Sequence, residues 1–433
     1  MKDYNSIPEI IKNVIEFPKP NHAIEIFEGD FELKNDNCSI KVNGIIYYSW
    51  FPEYGNYFKG NILDGDFEKY ISNPLDYYDI YINKRKISRA LIIKCVTSLP
   101  ATNSFLKGAL TNKIILGEKN LKIDEIKFSV PNLRSLSGNL IRNNNKISKA
   151  RILLENNLWK IEIDKKSNYD ELKEELLITG GYNLLYSGKL SSINKTAFTF
   201  ERVEDLFVCL NLFLSFINGR NISCLFLNGI TNNKVVWTDF TSKSVDIYKD
   251  NFSPIFERNI VGMDCMWKEF SNIWAEKWGE TFIKNIMHWY IQSKNQAGLI
   301  DGSIIMAQTG LEILYFYTTK NNIHPKSSAD KLRNLLIYLG IEDKKILAES
   351  KAMIKFSTDH LEEKYSGIVG TITTVRNDLI HSEEKFIDKI SLQLKFEVYN
   401  LNLWLIEISL LKVFNYKGKY CNRISGNIVD FEY

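Results

Sequence analysis

This chain lacks most of the features that settle a protein's class on sight. Its six cysteines (Cys38, Cys95, Cys209, Cys224, Cys265, Cys421) are scattered through 433 residues with no CxxC pair and no cluster. That excludes a disulfide framework and zinc-ligand spacing, and it predicts buried, reduced thiols. The opening stretch MKDYNSIPEIIKNVIEF mixes Lys, Asp and Glu with apolar residues and has no continuous apolar h-region. The runs Leu206 to Ile217 and Leu401 to Phe414 are too short or carry Glu407 and Lys412, so neither is expected to span a bilayer. Net charge is only +3. A global basic field of the kind that drives tight duplex binding is therefore absent, and any nucleic-acid contact must be local. No internal repeat or low-complexity tract is visible. The expectation is a cytoplasmic protein with no membrane segment.

What is present is a globular composition, with 45% apolar and 25% charged residues. The length exceeds what one hydrophobic core usually serves. From about residue 22 to 245, short alternating or β-branched runs read as strands: AIEIFEGDFEL, CSIKVNGIIYYSWF, YDIYINKRKI, ALIIKCVTSL, IDEIKFSVPNL, LWKIEID and AFTFERV. One helix interrupts them, VEDLFVCLNLFLSFINGRN, with Leu206, Phe207, Leu210 and Leu214 at helical spacing and Gly219 as its stop. ISCLFLNG and VVWTDF then return to strand.

Beyond Gly262 the period becomes 3.6. MWKEFSNIWAEKW, TFIKNIMHWYIQSKN and SIIMAQTGLEILYFY repeat apolar residues three and four apart. SADKLRNLLIYLG has Ser327 or Ser328 as its N-cap and Gly340 after its end. The segments carrying TITTVRNDLIH and LQLKFEVYNLNLWLIEISLLKVF complete a bundle. The predicted class is an α+β multidomain chain: a β-rich, sandwich- or barrel-like region over 1–245, a linker at 246–261, an all-α bundle over 262–415 and a tail at 416–433.

Histidine is scarce, confined to His22, His288, His324, His360 and His381. An Arg placed four to six residues before a His arises often by chance, so the spacing of Arg376 and His381 decides little alone. Helical phase says more. At about 100° per residue, Ile368, Ile372, Val375 and Leu379 share a narrow arc that reads as the core face. Asn377 and His381 stack one turn apart on the far side, with Asp378 beside them and Arg376 at the border.

That set suits phosphodiester cleavage. A His titrates near neutrality and can take the proton of a 2′-hydroxyl or protonate the departing 5′-oxygen. Arg is a permanent multi-donor cation for the scissile phosphate, and Asn377 can orient the imidazole or the sugar. One His does not readily act as base and acid in the same step, which suggests two copies meeting across a two-fold axis, each giving an Arg and a His. No carboxylate cluster for a metal pair is evident. The expected route is metal-free and cofactor-free, ending in a 2′,3′-cyclic phosphate. The bland alternative is a solvated helix face.

The RNDLIH segment resembles the HEPN signature of Arg, a polar residue, a short spacer and His. The flanking helices look like the ApeA-like subgroup of bacterial abortive-infection proteins. Looser points of likeness are Glu312 within QTGLEILYF, a β-rich first half containing FSVPNL, and LFLSFINGR ahead of strands. The resemblance covers nearly the whole chain, but RNDLIH alone is specific. It implies a homodimeric endoribonuclease that cuts RNA, tRNA among the candidates, during phage infection. Arg376 and His381 would be catalytic, Asn377 supporting, and Glu312 a further supporting residue. The first half would be a sensing region for a phage-derived trigger. The alternative within the family is an inactive HEPN bundle serving as a dimerisation or nucleotide-binding scaffold.

Two other features stand out. IIYYSWFPEYGNYF concentrates Tyr47, Tyr48, Trp50, Phe51, Tyr54, Tyr57 and Phe58. They form either a stacking platform for bases or sugars, as in a carbohydrate-binding protein, or alternating strand residues half packed in a core. Lys84-Arg85-Lys86 with Arg89 reads as an RNA contact or a solvated turn.

Overall fold

The computed structural model describes residues 6–12, 14–15, 17, 19–51, 53–65, 76–98, 104–111, 113–258, 260–295, 299–320, 325, 327–342, 350–362, 366–381 and 388–432. An N-terminal β-rich region with a barrel is followed by a helical C-terminal region, an α+β multidomain arrangement.

Six strands form the barrel: β1 (Ile24–Lys34), β2 (Ser39–Ser49), β3 (Gly55–Gly65), β4 (Tyr77–Ile82), β5 (Arg85–Val96) and β6 (Phe105–Leu110). Their order is β1-β2-β3-β6-β5-β4, and β1 pairs back onto β4 to close it. Period-two alternation sends Ile40, Val42, Ile46, Phe58, Ile80 and Leu106 inward. Room inside is tight. A Cβ on Gly108 would lie 2.2 Å from the ring of Phe58, its cross-strand partner, so the position needs glycine. YDIYINKRKI splits into β4 and β5 through a two-residue turn at Asn83 and Lys84, both at positive φ.

The second sheet runs β7-β14-β13-β8-β12-β11-β10-β9. Its strands are β7 (Ile115–Gly117), β8 (Glu125–Pro131), β9 (Asn139–Asn143), β10 (Lys146–Glu155), β11 (Trp159–Lys165), β12 (Leu184–Ser192), β13 (Leu225–Thr231) and β14 (Lys234–Asp239). Helices α1 (Tyr169–Thr179) and α2 (Glu201–Asn218) interrupt it. AFTFERV, expected as a strand, is not one. Phe198 makes a single bridge to Ile123, and Glu201–Val203 already belong to α2. Residue Gly219 ends α2 in the left-handed conformation at φ 69°.

Most of the aromatic run is core. Tyr48, Trp50 and Tyr54 pack with Tyr182 and Phe226 where barrel and sheet meet, with Trp50 stacked on Tyr182 at 5.2 Å. Phe58 lies inside the barrel, while Tyr47 and Tyr57 stay on its outer surface. In the basic stretch, Lys84 sits in the turn, Lys86 pairs with Asp79 at 2.6 Å, and Arg85 donates to the Gly117 carbonyl.

The helical region comprises α3 (Met263–Trp274), α4 (Lys277–Asn295), α5 (Leu299–Thr318), α6 (Ser328–Leu339), α7 (Lys351–His360), α8 (Ile368–His381) and α9 (Leu392–Val413). A small hairpin follows, β15 (Lys419–Cys421) and β16 (Ile428–Asp430). Ser327 caps α6 by accepting from Asp330 N, and Gly340 ends that helix at φ 74°. By length and composition α5 could cross a membrane, a property the sequence reading gave to no segment; here it packs against α4, α6 and α9.

One apolar core runs from the second sheet through α2 into the bundle. Phe213 on α2 lies 5.1 Å from Trp267 and 5.3 Å from Phe270 of α3. The stretch read as a linker is fastened to both sides. Asp246 accepts from Asn221 N at 2.8 Å, Ser253 donates to the Ile217 carbonyl at 2.6 Å, and buried Ile255 bridges to Tyr420.

Candidate active site

Helix α8 docks through Ile368, Ile372 and Val375, all fully buried, as the apolar arc requires. Leu379, the fourth member of that arc, is only half-buried against the core. The buried surface also takes in Val369, Gly370 and Thr371 at the start of the helix. Gln308 of α5 holds α8 in place, donating from Nε2 to the Ile372 carbonyl at 2.9 Å.

The opposite side of α8 faces an opening between α6 and α8. Arg376 and Asn377 line it together with Thr373, Thr374, Ser328, Asp330 and Arg333, around a volume of about 530 Å³. A narrow recess of about 20 Å³ meets it at Ser328 and Thr373 and reaches Glu312 and Lys331. The Arg376 Nη1 donates to Asn377 Oδ1 at 3.3 Å. Asn377 therefore partners the guanidinium in this structure.

Glu312 accepts from Ser328 Oγ and Lys331 Nζ, each at 2.7 Å. Burial pushes its carboxyl pKa up, but the Lys331 ammonium, the Ser328 hydroxyl and the nearby Arg376 cation outweigh burial, and the pKa lies below its ordinary value. A carboxylate on α5 thus holds Lys331 of α6 by an ion pair and feels the Arg376 cation of α8 through space. Nothing in the sequence singled out Lys331 and Arg333, and Ser328 stood out only as an N-cap candidate. Lys331 sits on the next helix, 19 residues from Glu312, and no local pattern announces that pairing.

Arg376, Asn377 and, through the recess, Glu312 are brought together. His381 is exposed at the end of α8 and Asp378 is half-exposed, and neither lines the cleft. Arg376 and His381 are five residues apart, hence about 140° around the helix and about 7.5 Å along it. In one chain they present to different directions. His324 lies outside the described residues, and the other histidines stand apart from the cleft. Among the described residues no three His, Cys, Asp or Glu side chains gather as metal ligands. The cleft's own donors, Arg376, Arg333 and Lys331, suit an anion.

Residues 275–432, which contain this whole cleft, match the family model of the YopA C-terminal domain, and residues 118–251 match that of the YopA central domain. The barrel strands precede both matches. Along nearly its full length the chain is also similar to the SPbeta prophage-derived uncharacterized protein YopA of Bacillus subtilis (strain 168). The two are 22% identical over 432 residues, covering 95% of this chain and 94% of that relative. No solved structure matches the chain.

Proposed function

We propose that the chain is an HEPN-type, metal-independent endoribonuclease that works as a homodimer in abortive infection. One observation carries the reading: α8 is anchored by its apolar arc so that Arg376 and Asn377 line an open, cation-bearing cleft. Arg376 would hold the scissile phosphate and the charge that develops on it. His381, displayed at the helix end, would move the proton of the 2′-hydroxyl or of the leaving 5′-oxygen. The separation of Arg376 and His381 around α8 fits a site assembled from two copies, in which one chain's imidazole approaches its partner's guanidinium. Glu312 would hold Lys331 in place and balance the charge of Arg376 from the adjoining recess. The prophage origin of the relative's name agrees with a role in conflict between phage and host.

The second reading, an inactive scaffold of the same kind, draws on His381 standing outside the cleft within one chain. Purified wild type, Arg376→Ala and His381→Ala, assayed on total RNA with and without EDTA and for growth arrest in a bacterial host, separate the two. Cleavage by wild type that persists in EDTA and fails in both variants supports the enzyme. No cleavage by wild type, even after phage infection of the host, leaves the scaffold. Loss of cleavage in EDTA overturns the metal-free route.

A further inference from the structure

We infer that the outer face of the barrel, across β2, β3, β6 and β5, is a docking surface for single-stranded nucleic acid, separate from the cleft on α8. The argument starts from strand register. Tyr47 of β2 pairs with Tyr57 of β3, and Tyr57 pairs with Ala109 of β6. Directly paired residues point to the same side of a sheet, and the alternate positions Tyr48, Phe58 and Gly108 are buried. The two tyrosines therefore form an outward row, with rings 6.1 Å apart and tilted by 33°.

Two residues along each strand lies a second outward row. Ile45 pairs with Lys59, Lys59 with Lys107, and Lys107 with Lys94. Three lysines thus stand abreast on three adjacent strands, about 4.8 Å from one strand to the next and about 7 Å from the tyrosine row. Like charges placed directly opposite on neighbouring strands destabilise a sheet. Glu53 offsets part of this through Lys107 at 3.0 Å, and Lys59 rests over the Tyr47 ring at 5.5 Å. The remaining repulsion is what a polyanion would relieve.

The pattern fits one partner chemistry. The half-buried Tyr47 and Tyr57, each with a lysine ammonium 5.5 Å from its ring centroid, offer bases a stacking surface, whatever the base, and a parallel line of ammonium groups follows a phosphate backbone. A broad anionic surface fits less well, because β1 places Glu25 and Glu28 at the β2 end of the two rows and bounds the strip. The face is a narrow track.

The test uses the full chain carrying Arg376→Ala, so that cleavage does not consume the probe. Fluorescein-labelled 12-mers of oligouridylate and oligothymidylate are titrated by anisotropy over a salt series. Lys59→Gln with Lys94→Gln should weaken binding at least tenfold and flatten the log–log salt dependence by about 1.4, the effect of two phosphate contacts on a single strand. Tyr57→Ala should weaken binding by about tenfold with no change in salt slope. Thermal midpoints of the lysine variant equal to or above the parent's would show that it folds and that repulsion has been relieved. Tighter binding of one probe identifies RNA or DNA as the ligand. Four results overturn the assignment: no binding by the parent, binding unchanged in the variants, duplex bound as tightly as single strand, or indifference to Tyr57→Ala.

Discussion

At the scale of single residues, one carboxylate organises the recess beside the cleft. Glu312 is the acceptor for Lys331 and Ser328 and the counter-charge to Arg376. Glu312→Gln should cost about 1 kcal/mol in urea denaturation, since one hydrogen-bonded ion pair in a partly solvated cleft is lost. Its pKa is held below the ordinary value, so the carboxylate's stabilisation is complete above the unfolded Glu pKa of about 4.3 and disappears as pH falls through the lower folded value. The stability gap between wild type and Glu312→Gln should therefore close on acidification; a gap that widens toward acid contradicts this placement of charge. The placement of Arg376, Asn377 and His381 off the buried arc of α8 was legible in their helical phase. The role of Glu312 was legible only as a residue type on an amphipathic helix, because its partners come from another helix.

At the scale of elements, α9 carries the most exacting polar arrangement. Glu407 is buried, accepts two bonds from Arg423 (3.0 and 2.5 Å) and one from Tyr290 at 3.0 Å. Buried Lys294 joins through Tyr290 and donates to the Phe252 carbonyl at 2.6 Å. This network ties α4, α9, the C-terminal residues and the strap before α3 into one knot. Removing that carboxylate takes the bonded anion from buried Arg423 and Lys294, so Glu407→Ala should destabilise by about 3–5 kcal/mol in equilibrium unfolding. A loss under 1 kcal/mol would show that the network is solvated. From sequence, Glu407 served only to argue against a membrane span, since a run of apolar residues around a single Glu gives no hint of its partner. Helix caps such as Ser327, Gly340 and Gly219 were readable because they act within one turn. AFTFERV misled because its alternation is short and α2 claims its last three residues.

At the scale of the molecule, the shared core makes the second sheet and the helical bundle depend on each other. Phe213 projects from α2 between Trp267 and Phe270 of α3. Phe213→Ala should cost about 3–5 kcal/mol, and far-UV dichroism and tryptophan fluorescence should report one coincident transition for sheet and bundle. Two separated transitions would show that the halves fold apart. The change from strand to helix near residue 260 was plain from periodicity. Closure of the barrel and continuity of the core were not, because both rest on contacts between residues far apart in the chain. The central claim, a ribonuclease site completed by a second copy, is tested most directly by mixing. Wild type is co-refolded with a growing excess of a chain carrying both Arg376→Ala and His381→Ala, and cleavage of RNA is measured per wild-type chain. A shared site predicts that this activity falls toward zero as heterodimers replace wild-type dimers, because each heterodimer lacks one chain's Arg and His. Activity per wild-type chain that stays constant across the series would place both groups in a site within one chain and contradict the shared site.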